Sequence, residues 1–188
     1  MFIRNRVRRQ LGVTLIEQIV FIIIVSVGVI GVLSTMGPSL RYSADPQLRK
    51  QQLAIAESLL AEILHQPFTY CDPDDPAAIS ATSTAGCSSG LSQDNVTGPT
   101  PADENRFGNA GLVFDNVADY AEYSQTGVTG LSGATVANFT AKVAISRAGT
   151  GFGLSDDGAA LKISVTVSHP SLDPFTLSGY RFRYAPTY

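Results

Sequence analysis

The chain has no tryptophan, two cysteines and two histidines among 188 residues, and 15% of its residues are charged. These shortages exclude whole classes of chemistry. Cys71 and Cys87 have no second cysteine or histidine cluster beside them, so no ligand set for zinc or redox motif is present. His65 and His169 stand alone. No Ser-His-Asp set, phosphate-binding loop or paired base is visible, so the chain is read as a non-enzyme with no cofactor and no metal assigned. Acids are missing from the first twelve residues, where Arg4, Arg6, Arg8 and Arg9 lie. From Val13 to Met36 charge is missing almost entirely, with Glu17 the one ionisable side chain.

The net charge of −3 hides this asymmetry. Setting the four arginines aside from 13 basic residues leaves nine against 16 acidic ones, about −7 for the remainder. Such a body does not favour nucleic acid, whose phosphates need a basic face. The 24 positions of segment 13–36 span roughly 36 Å as a helix, enough to cross a hydrocarbon core of about 30 Å. Arginines beside a span stay on the cytoplasmic side, so the chain from about Pro38 onward is expected on the far side of the membrane. In bacteria that side is oxidising, and a Cys71–Cys87 bridge fits it. Closing a loop of roughly 15 residues stabilises by about 3 kcal/mol. A secretory signal peptide is the plainer reading of the N-terminus, but Ser34-Thr35-Met36 is a poor cleavage site for it. Glu17 is the costly residue, since an ionised carboxylate at the centre of a span costs about 2.5–3.5 kcal/mol on insertion scales. It therefore calls for a partner charge, snorkelling to the interface being its bland alternative.

The expected fold class is α+β, a ladle in which a long N-terminal helix packs its second half on a C-terminal antiparallel sheet. The expected boundaries are a basic leader at 1–12, a membrane or filament-core helix at 13–36, and its amphipathic continuation at 37–66. A variable loop region with both cysteines follows at 67–137, and the sheet at 138–188. Pro38 predicts a kink or melted turn. Asp45 with Pro46 suits a helix start, although a mild kink would merge both halves into one helix. Leu53, Ala56, Leu60, Ile63 and Leu64 share one face. Segment 67–135 resists reading beyond short elements at 111–123. Period-two alternation predicts strands at 138–146, 160–168 and 175–184, joined as an antiparallel meander. Tyr180, Phe182 and Tyr184 are expected on the sheet face over the helix rather than in an adhesive patch.

The N-terminus, Arg8-Arg9-Gln10-Leu11-Gly12 followed by Val13-Thr14-Leu15-Ile16-Glu17 and the apolar run, resembles the class III signal of the type IV pilin and type II secretion pseudopilin family. The resemblance implies cleavage by prepilin peptidase between Gly12 and Val13, with methylation of the new N-terminus. The residue after the cut departs from the usual Phe or Met. The resemblance also implies that Glu17 pairs with the N-terminal ammonium of a neighbouring subunit during assembly. Low dielectric makes such a pair a selector of register more than a source of stability. Gln52-Leu53-Ala54-Ile55-Ala56-Glu57-Ser58-Leu59-Leu60-Ala61-Glu62-Ile63, with Gln66-Pro67-Phe68 and Cys71-Asp72-Pro73-Asp74-Asp75, is similar to minor pilins of the mannose-sensitive haemagglutinin (MSHA) pilus. Implied partners are major and minor pilins, the peptidase, an inner-membrane assembly platform and, before assembly, lipid. The implied location is the bacterial inner membrane, with the N-terminus cytoplasmic and the body periplasmic, and then the pilus at the cell surface. A type II secretion minor pseudopilin and a tip adhesin are the alternatives.

Asp72, Asp74 and Asp75, or Asp156 and Asp157, are oxygen donors of the kind that bind Ca²⁺. They lack EF-hand spacing, and solvated Asp/Pro turns are the commoner reading. Asn95-Val96-Thr97 and Asn138-Phe139-Thr140 fit the glycosylation triplet, which often arises by chance.

Overall fold

The computed structural model describes residues 12–93, 96–109 and 111–183, with the backbone alone at 36–45. The leader before Gly12, Asn95 and Tyr184 lie outside the described residues. The fold is α+β. Helix α1 (Leu15–His65) is followed by strands β1 (Ser124–Thr129), β2 (Thr135–Arg147), β3 (Ala160–His169) and β4 (Leu172–Phe182). The chain divides into two units at Pro46/Gln47, so α1 begins in the first and ends in the second.

In the first unit, α1 starts on Thr14. Its hydroxyl accepts from the Glu17 N–H at 3.4 Å and its carbonyl from the Gln18 N–H at 3.2 Å, as an N-cap does. Leu15–Thr35 is the one helical stretch among the described residues that is long and apolar enough to cross a membrane, and none of it is buried. Its hydroxyls are satisfied within the helix: Ser26, Ser34 and Thr35 donate to the carbonyls of Ile22, Gly31 and Val32. That arrangement suits a medium that offers no hydrogen bonds. The helix runs through Pro38, so of the two expectations it is the merged helix, not the melted turn, that is found, and Asp45-Pro46 falls inside α1 rather than at a helix start. Each proline removes one helical hydrogen bond and crowds one carbonyl, roughly 3 kcal/mol.

In the second unit the sheet runs β1-β2-β3-β4, every neighbouring pair antiparallel. Alternation along β2 and β3 puts Phe139, Ala141, Val143, Leu161, Ile163, Val165 and Val167 on the buried face. Full burial of a large apolar side chain contributes about 1.5–3 kcal/mol. Helix α1 covers that face with Gln52, Ala56, Leu59, Leu60 and Ile63, all buried at helical spacing. Leu53, expected on this face, is exposed. Gln52 takes part in the buried face and donates from Nε2 to the carbonyls of Val167 (2.8 Å) and Asp173 (3.0 Å), pinning the helix to the β3–β4 turn.

Three further expectations change. The sheet begins at Ser124 rather than 138, because β1 escapes a periodicity reading. Its sequence Ser-Gln-Thr-Gly-Val-Thr has one apolar residue, Val128, and a bulge at Gly127, whose φ is +69°. Strand β2 likewise opens at Thr135. Tyr180 and Phe182 face away from the helix and stack edge-on against Phe152, with ring centroids 5.1 and 5.0 Å apart. Leu177 and Gly179 hold the inner positions. A Cβ on Gly179 would lie 3.3 Å from Leu60 Cδ1 and from Leu64 Cδ1, so its missing side chain is what lets the helix approach β4.

Candidate functional site

Two places concentrate chemistry: the start of α1, and the loops that follow it. At the start, Gly12 and Val13 are exposed just before the Thr14 cap. Glu17 is exposed, and among the described residues its carboxylate has no hydrogen-bond or ion-pair partner. Thr14-Leu15-Ile16-Glu17 also has the Thr-x-x-Glu spacing of a capping box, a local signal that the sequence reading missed. The Thr14 half of that box is formed.

In the loops, Cys71 and Cys87 are disulfide-bonded, with no free cysteine. The bridge closes a loop whose ends also pair through the backbone, Asp72 N–H to Leu91 O and Gln93 N–H to Tyr70 O, both at 2.9 Å. Within the loop, Asp75 accepts from the Ala77 N–H (2.9 Å), the Ser88 N–H (2.6 Å) and the Ser88 hydroxyl (2.9 Å). These donors, Ala77 first, hold its carboxyl below the usual range. Asp75 is therefore a clasp, set apart from the Asp72 and Asp74 with which it is contiguous. Asp156 and Asp157 are also turn anchors, accepting from the Gly158 N–H and from the Thr150 N–H and hydroxyl.

Five other acids converge. Carboxylate oxygens of Asp72, Asp74 and Asp115 lie within 4.8 Å of one another, and so do those of Glu104, Asp115 and Asp119. The disulfide loop places the first two. Glu104 and Asp115 bracket a loop closed by Asn105, whose N–H donates to Leu112 O (3.1 Å) and whose carbonyl accepts from the Phe114 N–H (3.3 Å). Asp119 sits in the 3₁₀ turn Val117–Tyr120 and accepts from the Asn116 N–H (2.7 Å), the Asp115 N–H (3.1 Å) and Gln93 Nε2 (2.9 Å). Asp72, Glu104 and Asp119 are buried. Both oxygens of Glu104, Oδ1 of Asp115 and Oε1 of Gln93 are buried without a hydrogen-bond partner. Burial pushes the Glu104 carboxyl up to about 9, helped by the charges of Asp119, Asp72, Asp115 and Asp74. Burial, then Asp72 and Asp119, push Asp115 up to about 7. Burial also raises Asp72 and Asp119.

Arg106, two positions from Glu104, is turned elsewhere. Its guanidinium grips Glu62 of α1 with Nε at 2.7 Å and Nη2 at 2.6 Å and donates from Nη1 to Thr129 O at 2.8 Å. The Tyr120 hydroxyl adds a 2.7 Å bond to Glu62. Burial opposes the charge on Arg106, but the Glu62 hydrogen bonds outweigh it and raise its pKa. Glu104, Arg106, Asp115 and Asp119 were invisible as a site in the sequence, because they meet through loops without periodicity.

Comparison with protein-family models, curated proteins and solved structures returned no match.

Proposed function

We propose that the chain is a membrane-anchored subunit of a pilus-type fibre, a minor type IV pilin resembling MshD of the MSHA pilus. The observation that carries this reading is the apolar half of α1. Leu15–Thr35 is exposed all round, begins directly after the N-cap Thr14 that follows Gly12-Val13, and holds a single acid with no partner among the described residues. A surface of that kind needs lipid or other helices around it. Cleavage after Gly12 creates an ammonium at Val13, and Glu17 of an adjacent subunit answers it when the helices pack with an axial stagger. The ladle arrangement, the periplasmic body, the inner-membrane assembly platform and the later place in a surface fibre belong to the same proposal.

A type II secretion pseudopilin uses the same anchor, and neighbouring genes separate the two systems. A binding module at a fibre tip is a second reading. The outward aromatic trio Phe152, Tyr180 and Phe182 speaks for it, since each residue is at least 40% exposed. The testing experiment is Glu17→Ala in cells that make the fibre. Membrane insertion is expected to persist while incorporation falls; normal incorporation removes Glu17 from the mechanism.

A further inference from the structure

We propose that Asp72, Asp74, Glu104, Asp115 and Asp119 form a calcium-binding site in the body of the chain. The cluster is more than a run of surface acids. Glu104 is 5% exposed and both of its oxygens lack a hydrogen-bond partner. Asp115 Oδ1 and Gln93 Oε1 are orphaned in the same way, and Gln93 is fully buried. Ionising a buried carboxyl without a donor or a counter-charge costs several kcal/mol, and a bound cation offsets that cost. Here the charges that act most on Glu104 are four further carboxylates. The cation nearest in sequence, Arg106, is committed to Glu62.

Ligand number selects the ion. Ca²⁺ takes six to eight oxygens in a flexible geometry, whereas Mg²⁺ demands a strict octahedron, keeps several of its waters and takes one or two carboxylates from protein. Five carboxylates in two overlapping triads offer more oxygens than magnesium accepts. The donors are all hard oxygens. Both sulfurs are locked in the disulfide, so thiolate metals find no ligand. Asp74 is exposed and Asp115 half-buried, which gives the ion a route from solvent. The disulfide loop, the Asn105-closed loop and the 3₁₀ turn each supply ligands, so the ion ties together the region between α1 and the sheet.

The site stands apart from the fibre reading and is tested on the full chain in detergent. After chelation, the thermal midpoint is followed as CaCl₂ is added, with MgCl₂ in parallel and calorimetric titration as the direct measure of binding. Calcium at about a hundredfold its Kd is expected to raise the midpoint by roughly 5–10 °C, and magnesium at the same concentration by much less. Glu104→Gln replaces a buried carboxyl by a neutral amide at nearly constant shape. It is expected to unfold no earlier than wild type in chelator and to bind calcium at least tenfold more weakly. Asp103→Asn, an exposed acid next to the site, should respond as wild type does. A wild-type chain with neither heat of binding nor midpoint shift overturns the site. An unchanged calcium response in Glu104→Gln removes Glu104 from it, and an equal response to magnesium overturns the choice of ion. The wild-type titration decides the matter even if the variant fails to fold.

Discussion

Of the three glutamates on helix α1, Glu17 and Glu62 have circumstances that differ completely. Glu62, near its end, has a side chain only 8% exposed and is held by Arg106 and Tyr120 from the loops that pack against it. Glu17, in its first turn, is exposed on an apolar surface, with no carboxylate partner among the described residues. The same side chain on the same helix is answered within the chain in one case and left over in the other. The contrast extends to the surroundings. Ala56, Leu59, Leu60 and Ile63 cover a sheet, while Leu15–Thr35 has no buried residue. A helix half that is complete within its own chain serves stability. A half that is incomplete points to an external partner, and the fibre proposal names one.

Mutations sharpen this contrast, the largest effect coming from the answered acid. Glu62→Ala leaves the Arg106 guanidinium buried and unpaired, and the body should lose about 3–5 kcal/mol in denaturant unfolding. A loss below about 1 kcal/mol would mean that the pair behaves like an exposed one. Next is Ile63→Ala, which removes a fully buried side chain and should cost about 2–5 kcal/mol. Its counterpart Ile24→Ala, on the exposed stretch, should leave the unfolding of the body within about 0.5 kcal/mol. Similar losses for both would erase the distinction between the two halves. Glu17→Ala should also leave the body's stability within about 0.5 kcal/mol while lowering fibre incorporation. The smallest effect is a pH dependence at Asp157, an acid in neither half of the helix. The Thr150 N–H and hydroxyl depress its pKa in the fold, so its contribution is present above the unfolded carboxyl pKa and lost as pH falls through the folded one. The stability gap between wild type and Asp157→Asn, measured by unfolding, should therefore close between about pH 5 and pH 3. A gap that widens on acidification would reverse the sign.

What the sequence revealed followed from periodicity. Leu161, Ile163, Val165 and Val167 alternate strictly and are buried together in β3. Ala56, Leu60 and Ile63 recur at helical spacing and meet them. The apolar run needed only local pattern. What stayed hidden was non-local or nearly featureless. Strand β1 offers a single apolar residue. Leu53 looks like a core position until Gln52 takes the buried place by capturing two backbone carbonyls. Tyr180 and Phe182 read as the packing face because they are large, whereas the helix approaches through Gly179, which has no side chain to read. The acidic cluster draws on the disulfide loop, an irregular loop and a 3₁₀ turn, and no spacing rule joins Asp72 to Glu104 or Asp119.

The central claim is that the unanswered half of α1 is completed by other subunits after a cut that frees an ammonium beside Glu17. The most direct test is to determine the N-terminus of the protein recovered from cells that possess prepilin peptidase. The account predicts a mature chain beginning at N-methylated Val13. A chain that keeps its arginine leader, or that begins near Gly37, would contradict it.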